Sequence, residues 1–173
     1  LEAFACCSTA RILPPVPAGE DEEIIDSRPQ VIGSKTEGAM IMLCQSDWGG
    51  YDDTDARREA ANFGKEDGSR LFPFSSSRKR MTVLVKKGGN GVTLYHKGAA
   101  EIVLKNCSKY LDIDGSEKPM TDEKRKFYEN IIQNFAGDAL RCIAITHRKK
   151  IEKITKDISG VTVEDCEKTL ETD

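Results

Sequence analysis

Residues 80–97 read RMTVLVKKGGNGVTLYHK, and this stretch decides the fold class. Two sets of side chains recur at every second position and would each share one face of a strand: Met81, Val83 and Val85, then Val92, Leu94 and His96. Between them, KKGGNG supplies the glycines and the Asn-Gly pair that a tight turn requires. The stretch therefore predicts a β-hairpin.

Downstream of the hairpin the pattern changes to short mixed elements. GAAEIVLKNC at 98–107 predicts a short helix, and YLDIDGSEKPM at 110–120 predicts an extended segment with an Asp-Gly turn. TDEKRKFYENIIQNFAGDA at 121–139 predicts a longer helix, with Thr121 as its cap and apolar residues every four positions at Phe127, Ile131 and Phe135. LRCIAITHR at 140–148 predicts a strand; because both of its alternating sets are largely apolar, we expect it inside a sheet.

Upstream of the hairpin, two helices are predicted. TEGAMIMLCQSDW at 36–48 is helical if Thr36 caps it and Gly49 ends it, and YDDTDARREAANFG at 51–64 ends at Gly64. The segment 13–30 carries four prolines and a cluster of acids, which predicts a mobile connection.

Together these elements predict one domain over residues 1–173, of α/β (α+β) class. Its core would be a mostly antiparallel twisted sheet flanked by helices. For the tail at 149–173, the charge pattern indicates a solvated face, as a helix and strand or as a frayed end.

Composition excludes several functions. The formal net charge is −3, which argues against broad affinity for nucleic acid. The six cysteines include no C-x-x-C pair and are joined by only two histidines, so no zinc site is predicted. We expect Cys44, Cys107 and Cys142 to be buried free thiols, which suits a reducing cytosol.

Standard phosphate-binding loops are absent from the sequence. GSKTE at 33–37 lacks the glycine that directly precedes lysine in a P-loop, and GGNG at 88–91 lacks the third glycine of a dinucleotide fingerprint. No set of Ser, His and Asp residues has a spacing that indicates a catalytic triad. A nucleotide site, if present, has to be built from other motifs.

Four such motifs occur in order along the chain: GSKTE at 33–37, FPFSSSRKRM at 72–81, KGAAE at 97–101 and ALRCIAIT at 139–146. In this order they resemble the hallmarks of the nucleotide-binding domain of P-type ATPases, which are G-x-x-T-E, F-x-S-x-x-K-x-M, K-G-A-x-E and an L-R strand. The resemblance covers about residues 30–148. The motif sequences are most similar to those of the calcium pumps of the plasma-membrane, calmodulin-regulated type.

The resemblance assigns ATP binding to six residues: Glu37, Phe74, Lys79, Lys97, Gly98 and Arg141. Phe74 would stack on adenine and Glu37 would accept a hydrogen bond from the adenine amino group. Arg141 would meet the phosphates or the ribose with its forked donors. The alternative role for Phe74 is that of a core phenylalanine, although Phe72 is the better candidate for the core. The alternative role for Glu37 is that of a solvated acid at the start of a helix.

The remaining cations and small residues complete the assignment. Lys79 would contact phosphate, and Lys97 would reach into the pocket while Gly98 lets the backbone approach the ring; the alternative for Lys97 is a surface lysine. The same motifs add five secondary candidates: Thr36, Ser76, Arg78, Ala99 and Ile143. The sarcoplasmic branch of the family carries arginine at the position of Ser76. Arg78 or Arg80 could replace that arginine, or both could be solvated cations.

The resemblance implies a domain that holds Mg-ATP, with Mg²⁺ carried by the nucleotide, on the cytoplasmic side of a membrane. Its partners would be the phosphorylation, actuator and transmembrane domains of a calcium pump, with the tail leading toward the hinge and membrane contact only through the parent pump. The family's phosphorylated aspartate lies in D-K-T-G-T, which is absent here, so the chain alone should be inactive. The isolated domain is also expected to be monomeric. Two alternatives stay open: another P-type class, such as a lipid flippase, and a nucleic-acid or protein-binding module acting through SSSRKR.

Overall fold

The fold is taken from a computed structural model. It describes residues 2–13, 29–46, 54–61, 63, 68–87, 91–149, 151, 158 and 160–171. Contacts divide the chain into two compact units, Leu1–Ala60 and Ala61–Asp173. Within the predicted mobile connection, residues 14–28 lie outside the described residues, whereas Leu13 and Gln30 are paired strand residues. That residues 1–173 act as one domain stays a prediction.

In the described part of the first unit, three helices accompany a two-stranded antiparallel ladder. Its elements are α1 (Glu2–Cys6), β1 (Arg11–Leu13), β2 (Gln30–Ile32), α2 (Lys35–Ser46) and α3 (Thr54–Ala60). Phe4 packs against buried Ala5 and Cys44, which join α1 to α2. Both predicted helices are therefore present.

The predicted cap of α2 was wrong. Ser34, and not Thr36, precedes the first helical residue, and its hydroxyl accepts from the Glu37 N–H at 3.5 Å. Serine is as good a cap as threonine, so the helix takes up Lys35 and Thr36 as its first turn. The predicted ends at Gly49 and Gly64 lie outside the described residues.

The second unit is built on a four-stranded antiparallel sheet, which confirms the predicted fold class. Its strands are β3 (Arg70–Ser75), β4 (Arg80–Lys87), β5 (Gly91–Ala99) and β8 (Ile143–Lys149), in the order β3-β4-β5-β8. The hairpin is the β4–β5 pair, running from Arg80 opposite Gly98 to Lys87 opposite Gly91. Its turn at 88–90 lies outside the described residues.

The register of the hairpin separates the two predicted apolar sets. Met81 lies opposite Lys97 and Val83 opposite Tyr95, whereas Leu84 lies opposite Leu94. Because directly opposed residues share a face, the Met81 set and the Leu94 set are on opposite faces of the sheet. Both sets are buried, so the sheet is covered on both faces.

The other elements of the second unit surround the sheet. They are α4 (Ala100–Val103), a 3-10 turn (Leu104–Asn106), β6 (Lys109–Leu111), β7 (Glu117–Pro119), α5 (Asp122–Gly137) and α6 (Val163–Glu171). The Thr121 hydroxyl accepts from the Lys124 N–H at 3.2 Å, so the predicted cap of α5 is confirmed. The predicted Asp-Gly turn joins β6 to β7, with Gly115 at φ 80°.

Helix α5 and strand β8 are less buried than their apolar patterns indicate. Of the three apolar residues predicted to recur along α5, Phe127 and Phe135 are 52% and 46% exposed, whereas Ile131 is half-buried, as are Tyr128 and Ile132. Strand β8 begins at Ile143 and, among the described strands, lies at the end of the sheet with half-buried side chains. An apolar pattern indicates that a face is covered, but the cover can be a helix or a loop as well as another strand.

The tail contains a helix, α6, which was one of its expected forms, and Glu164 and Asp165 are exposed on it as the charge pattern indicates. The burial of other tail residues was not predicted. Ile151, Ile158 and Cys166 are buried in one cluster with Leu84, Val92 and Leu94. Helix α6 therefore contributes to the core of the second unit. By contrast, Cys107 and Cys142, predicted to be buried, are only half-buried. Within the described part of the chain, no helix has the length and apolar composition needed to cross a membrane.

Candidate nucleotide site

A tight turn follows β3 and presents the phenylalanine of the second motif. The Lys79 N–H donates to the Ser75 carbonyl at 2.7 Å, and the Ser75 hydroxyl accepts from the Arg78 N–H at 3.2 Å. Lys79 adopts a left-handed conformation with φ 51°. Phe74, directly before the turn, is 57% exposed. The alternative of a core phenylalanine is therefore wrong, and Phe72 packs on the core instead.

Gly98 is where the second and third motifs meet. The Ala99 N–H donates to the Lys79 carbonyl at 3.1 Å. A Cβ atom at Gly98 would lie 2.6 Å from that carbonyl oxygen and 2.7 Å from the Cβ of Arg80. Only glycine leaves room for this approach, so KGAAE holds the FPFSSSRKRM turn against β5.

The fourth motif joins the same end of the sheet. Ala99 lies opposite Ile143, and the Ala100 N–H donates to the Cys142 carbonyl at 3.3 Å. Arg141 is exposed two residues before β8 begins. The register thus places three motifs side by side at this end of the sheet.

Lys97 is buried, with 6% of its surface exposed. Its cross-strand neighbours are Met81 on β4 and Ile145 on β8. The alternative of a surface lysine is therefore wrong. A buried amino group requires polar partners, so burial restricts where the Lys97 side chain can lie.

The two arginines that flank Lys79 are engaged by an acid that was missed from the sequence. Glu167 of α6 lies 3.0 Å from Arg80 Nη2 and 3.5 Å from Arg78 Nη1. The alternative that both arginines are solvated is wrong, since their side chains are only 14% and 21% exposed. Ser76 is exposed. No local signal marks Glu167, because its partners lie almost ninety residues away along the chain.

In the first unit, the acid of the GSKTE motif is buried and used internally. Glu37 is 7% exposed, and its Oε2 accepts from the Thr9 and Ala10 N–H groups at 2.7 and 3.2 Å. It also accepts from the hydroxyls of Ser8 and Thr9. The alternative of a solvated acid is therefore wrong, whereas adenine recognition by Glu37 stays a prediction. Thr36 is exposed.

His96 is a buried polar residue to which the sequence assigned no chemistry. Its Nδ1 lies 2.8 Å from Thr82 Oγ1, and among the described residues its Nε2 has no hydrogen-bond partner. Burial, with a smaller contribution from the charge of Arg80, lowers the pKa of His96 to about 4. The imidazole is therefore neutral at physiological pH.

His96 also lines a cavity of about 750 Å³ in the second unit, bordered by α4, α5, β6, β7 and β8. Phe74, Lys79, Lys97, Gly98 and Arg141 do not line it. Among the described residues, no cluster of three or more His, Cys, Asp or Glu side chains is placed to hold a metal. Burial also raises the pKa of Cys166 to about 12, which favours the neutral thiol over the reactive thiolate.

Three of the four motifs thus meet at one end of the antiparallel sheet, and comparison with known proteins identifies the family of the chain. The chain matches the family described as P-type ATPase, cytoplasmic domain N, over residues 1–171, and it belongs to that family.

Its relatives include the calcium-transporting ATPase PAT1 of Dictyostelium discoideum, which is 41% identical over 119 residues, or 69% of this chain. The plasma-membrane-type calcium-transporting ATPase 8 of Arabidopsis thaliana is 48% identical over 77 residues, or 44% of the chain. The plasma-membrane-type calcium-transporting ATPase 5 of Oryza sativa subsp. japonica is 37% identical over 125 residues, or 69% of the chain. These matches span 10%, 7% and 10% of the relatives' own lengths.

Proposed function

We propose that this chain binds Mg-ATP and presents it to a separate phosphorylation domain in a P-type calcium pump. One observation carries the proposal: the turn after Phe74 docks on β5, with the Lys79 carbonyl accepting from Ala99 N–H at 3.1 Å over Gly98. This contact joins two motifs that the resemblance assigns to one ligand.

The side chains at this end of the sheet suit a nucleotide. Phe74 offers an exposed ring for adenine, and Lys79 and Arg141 are exposed cations for phosphate or ribose oxygens. Ala99 and Ile143 are opposed on neighbouring strands and would line the ring site beside Lys97. For Thr36 and Glu37, which belong to the first unit, the proposal rests on the resemblance of GSKTE alone.

The domain would contribute positioning, which is most of what phosphoryl transfer asks of a protein. Mg²⁺ would arrive with the nucleotide, and the phosphorylated aspartate, the actuator and the ion path would belong to other domains. The chain would therefore bind ATP on the cytoplasmic side of the membrane without hydrolysing it alone. Calcium as the transported ion is supported by the names of the relatives.

Replacing Phe74 tests the proposal. Phe74→Ala removes the stacking ring and should weaken ATP binding by roughly 5- to 150-fold, since a base–aromatic stack is worth about 1–3 kcal/mol. The dissociation constant is measured by amide NMR or calorimetry. Because the isolated domain should bind only in the millimolar range, loss of saturation is the expected result.

Phe135→Ala is the matched control, since Phe135 is a similarly exposed phenylalanine on α5. It should bind ATP like the unmodified chain. Equal affinity of Phe74→Ala and Phe135→Ala, or equal affinity of the unmodified chain for GTP and ATP, would contradict the assignment.

A nucleic-acid module acting through SSSRKR is less well supported. Arg78 and Arg80 are paired with Glu167, whereas Lys79 forms no ion pair with an acid among the residues that the structure describes. Non-specific phosphate binding requires several uncompensated cations. Salt-dependent retention on DNA without any response to ATP would favour that function instead.

A further inference from the structure

Glu167 of α6 forms a two-point contact with Arg80. The Arg80 Nε donates to Oε1 at 3.1 Å, and Nη2 lies 3.0 Å from Oε2. The side chains of Arg80 and Glu167 are 14% and 21% exposed, so water screens the pair only partly. A forked arginine–carboxylate contact of this kind fixes direction as well as distance.

Arg78 connects the same carboxylate to the residue before Phe74. Its Nη2 donates to the Pro73 carbonyl at 2.7 Å. Its Nη1 forms an ion pair with Glu167 Oε1 at 3.5 Å, without a hydrogen bond among the described residues. Arg80 lies opposite Ser75, where the turn begins. One carboxylate is therefore linked to the residues on either side of Phe74, to Pro73 through Arg78 and to Ser75 through Arg80.

Helix α6 is itself firmly placed. Cys166, next to Glu167, has no exposed surface and packs in the cluster of Leu84 and Leu94. At the start of the helix, the Thr162 hydroxyl accepts from the Asp165 N–H, and Asp165 Oδ2 accepts from the Thr162 N–H. Glu167 thus reaches the turn from an anchored helix.

We propose that Glu167 is a positioning residue for the nucleotide site, so that nucleotide affinity depends on α6; this rests on the proposed function. Without the carboxylate, Arg78, Lys79 and Arg80 repel one another and the turn spreads. The Phe74 ring then loses the orientation needed for stacking. A purely electrostatic role predicts the opposite result for ATP, because removal of a negative charge beside the site would strengthen phosphate binding.

The test compares Glu167→Gln with Glu164→Gln, which removes an exposed acid from the first turn of the same helix. ATP and adenosine are each titrated, and thermal unfolding is recorded for every variant. We expect Glu167→Gln to bind both ligands roughly five-fold more weakly, the effect expected of one ion pair of this kind. Glu164→Gln should match the unmodified chain. Weaker binding of adenosine would distinguish the two roles. Adenosine has no phosphate, so a change of electrostatic potential alone would not weaken its binding.

The inference is overturned if the unmodified chain binds ATP and Glu167→Gln binds it equally well or more tightly. If the unmodified chain does not bind ATP, the proposed function fails, and the amide shifts of residues 75–79 in Glu167→Gln without ligand still test the positioning. Unchanged shifts would then reject it. Should Glu167→Gln not fold, Glu167→Asp keeps the charge but shortens the reach; full affinity in that folded variant would also overturn the inference.

Discussion

At the scale of single residues, Gly98 shows why a short motif requires a particular amino acid at one of its positions. The lack of a side chain at this position lets the Lys79 carbonyl reach the Ala99 N–H. The backbone of Gly98 is not left-handed, so glycine is required at this position only because a side chain would not fit. The sequence indicated a close backbone approach here, but the approaching group is the neighbouring motif, and that was not predicted.

Gly98→Ala should therefore disrupt the turn. The new methyl group would lie 2.6 Å from backbone oxygen that cannot rotate away. We expect the free energy of unfolding to fall by about 1–3 kcal/mol, with weaker ATP binding, measured by urea unfolding and by titration. Gly91→Ala on the same strand is the control, since its methyl group would meet nothing within 4 Å. Equal free energies of unfolding in the two variants would show that the turn moves to accommodate the methyl group without loss of stability.

At the scale of elements, α2 and α3 each provide a charged side chain that binds a segment distant along the chain. Glu37 occupies the third position of α2, where its side chain could have bonded its own helix start. Instead it accepts from the segment that joins α1 to β1. Arg58 of α3 donates to the carbonyls of Ser8 and Ala10 in the same segment and to that of Ala5 in α1. Two helices thus satisfy the polar groups of a buried connection.

Glu37→Gln should destabilise the first unit even without nucleotide. The amide is a weaker acceptor than the carboxylate and brings two donors into a site of donors, so about 1–3 kcal/mol of unfolding free energy should be lost. Thermal unfolding of Glu37→Gln is compared with that of Glu59→Gln, an exposed acid on α3. If both unfold at the same temperature, the hydrogen bonds of Glu37 contribute little, and its role would have to be in binding.

At the scale of the whole molecule, His96 couples the core of the second unit to pH. Its native pKa of about 4 lies below the usual value of 6.5. Between these values the unfolded chain binds a proton that the native chain does not, so stability is retained above pH 6.5 and falls as pH drops toward 4. From pH 7 to pH 5 this group should cost roughly 2 kcal/mol of unfolding free energy.

Urea unfolding at pH 7 and pH 5 measures this dependence. His96→Asn should lose most of it, whereas His147→Asn should keep it, since His147 lies 3.8 Å from an exposed glutamate, Glu117, with its own side chain 25% exposed. An identical pH dependence in the unmodified chain and in His96→Asn would contradict a neutral, buried imidazole.

The sequence by itself determined the features that depend on neighbours along the chain. The alternation and Asn-Gly pair of 80–97 predicted the β4–β5 hairpin, Thr121 predicted the start of α5, and the four ordered motifs predicted the family. Each signal is local, because strand period, turn and cap chemistry act over a few residues.

Only the tertiary structure decided which faces are covered and which charges meet. The exposed Phe135, the end position of β8 and the buried Cys166 depend on how elements pack, which an apolar pattern does not encode. The pairing of Arg80 with Glu167 joins residues 87 positions apart. The partner of a charged residue depends on how distant elements pack. The contact of Glu167 with the turn after Phe74 therefore follows from the position of α6 and not from the local sequence.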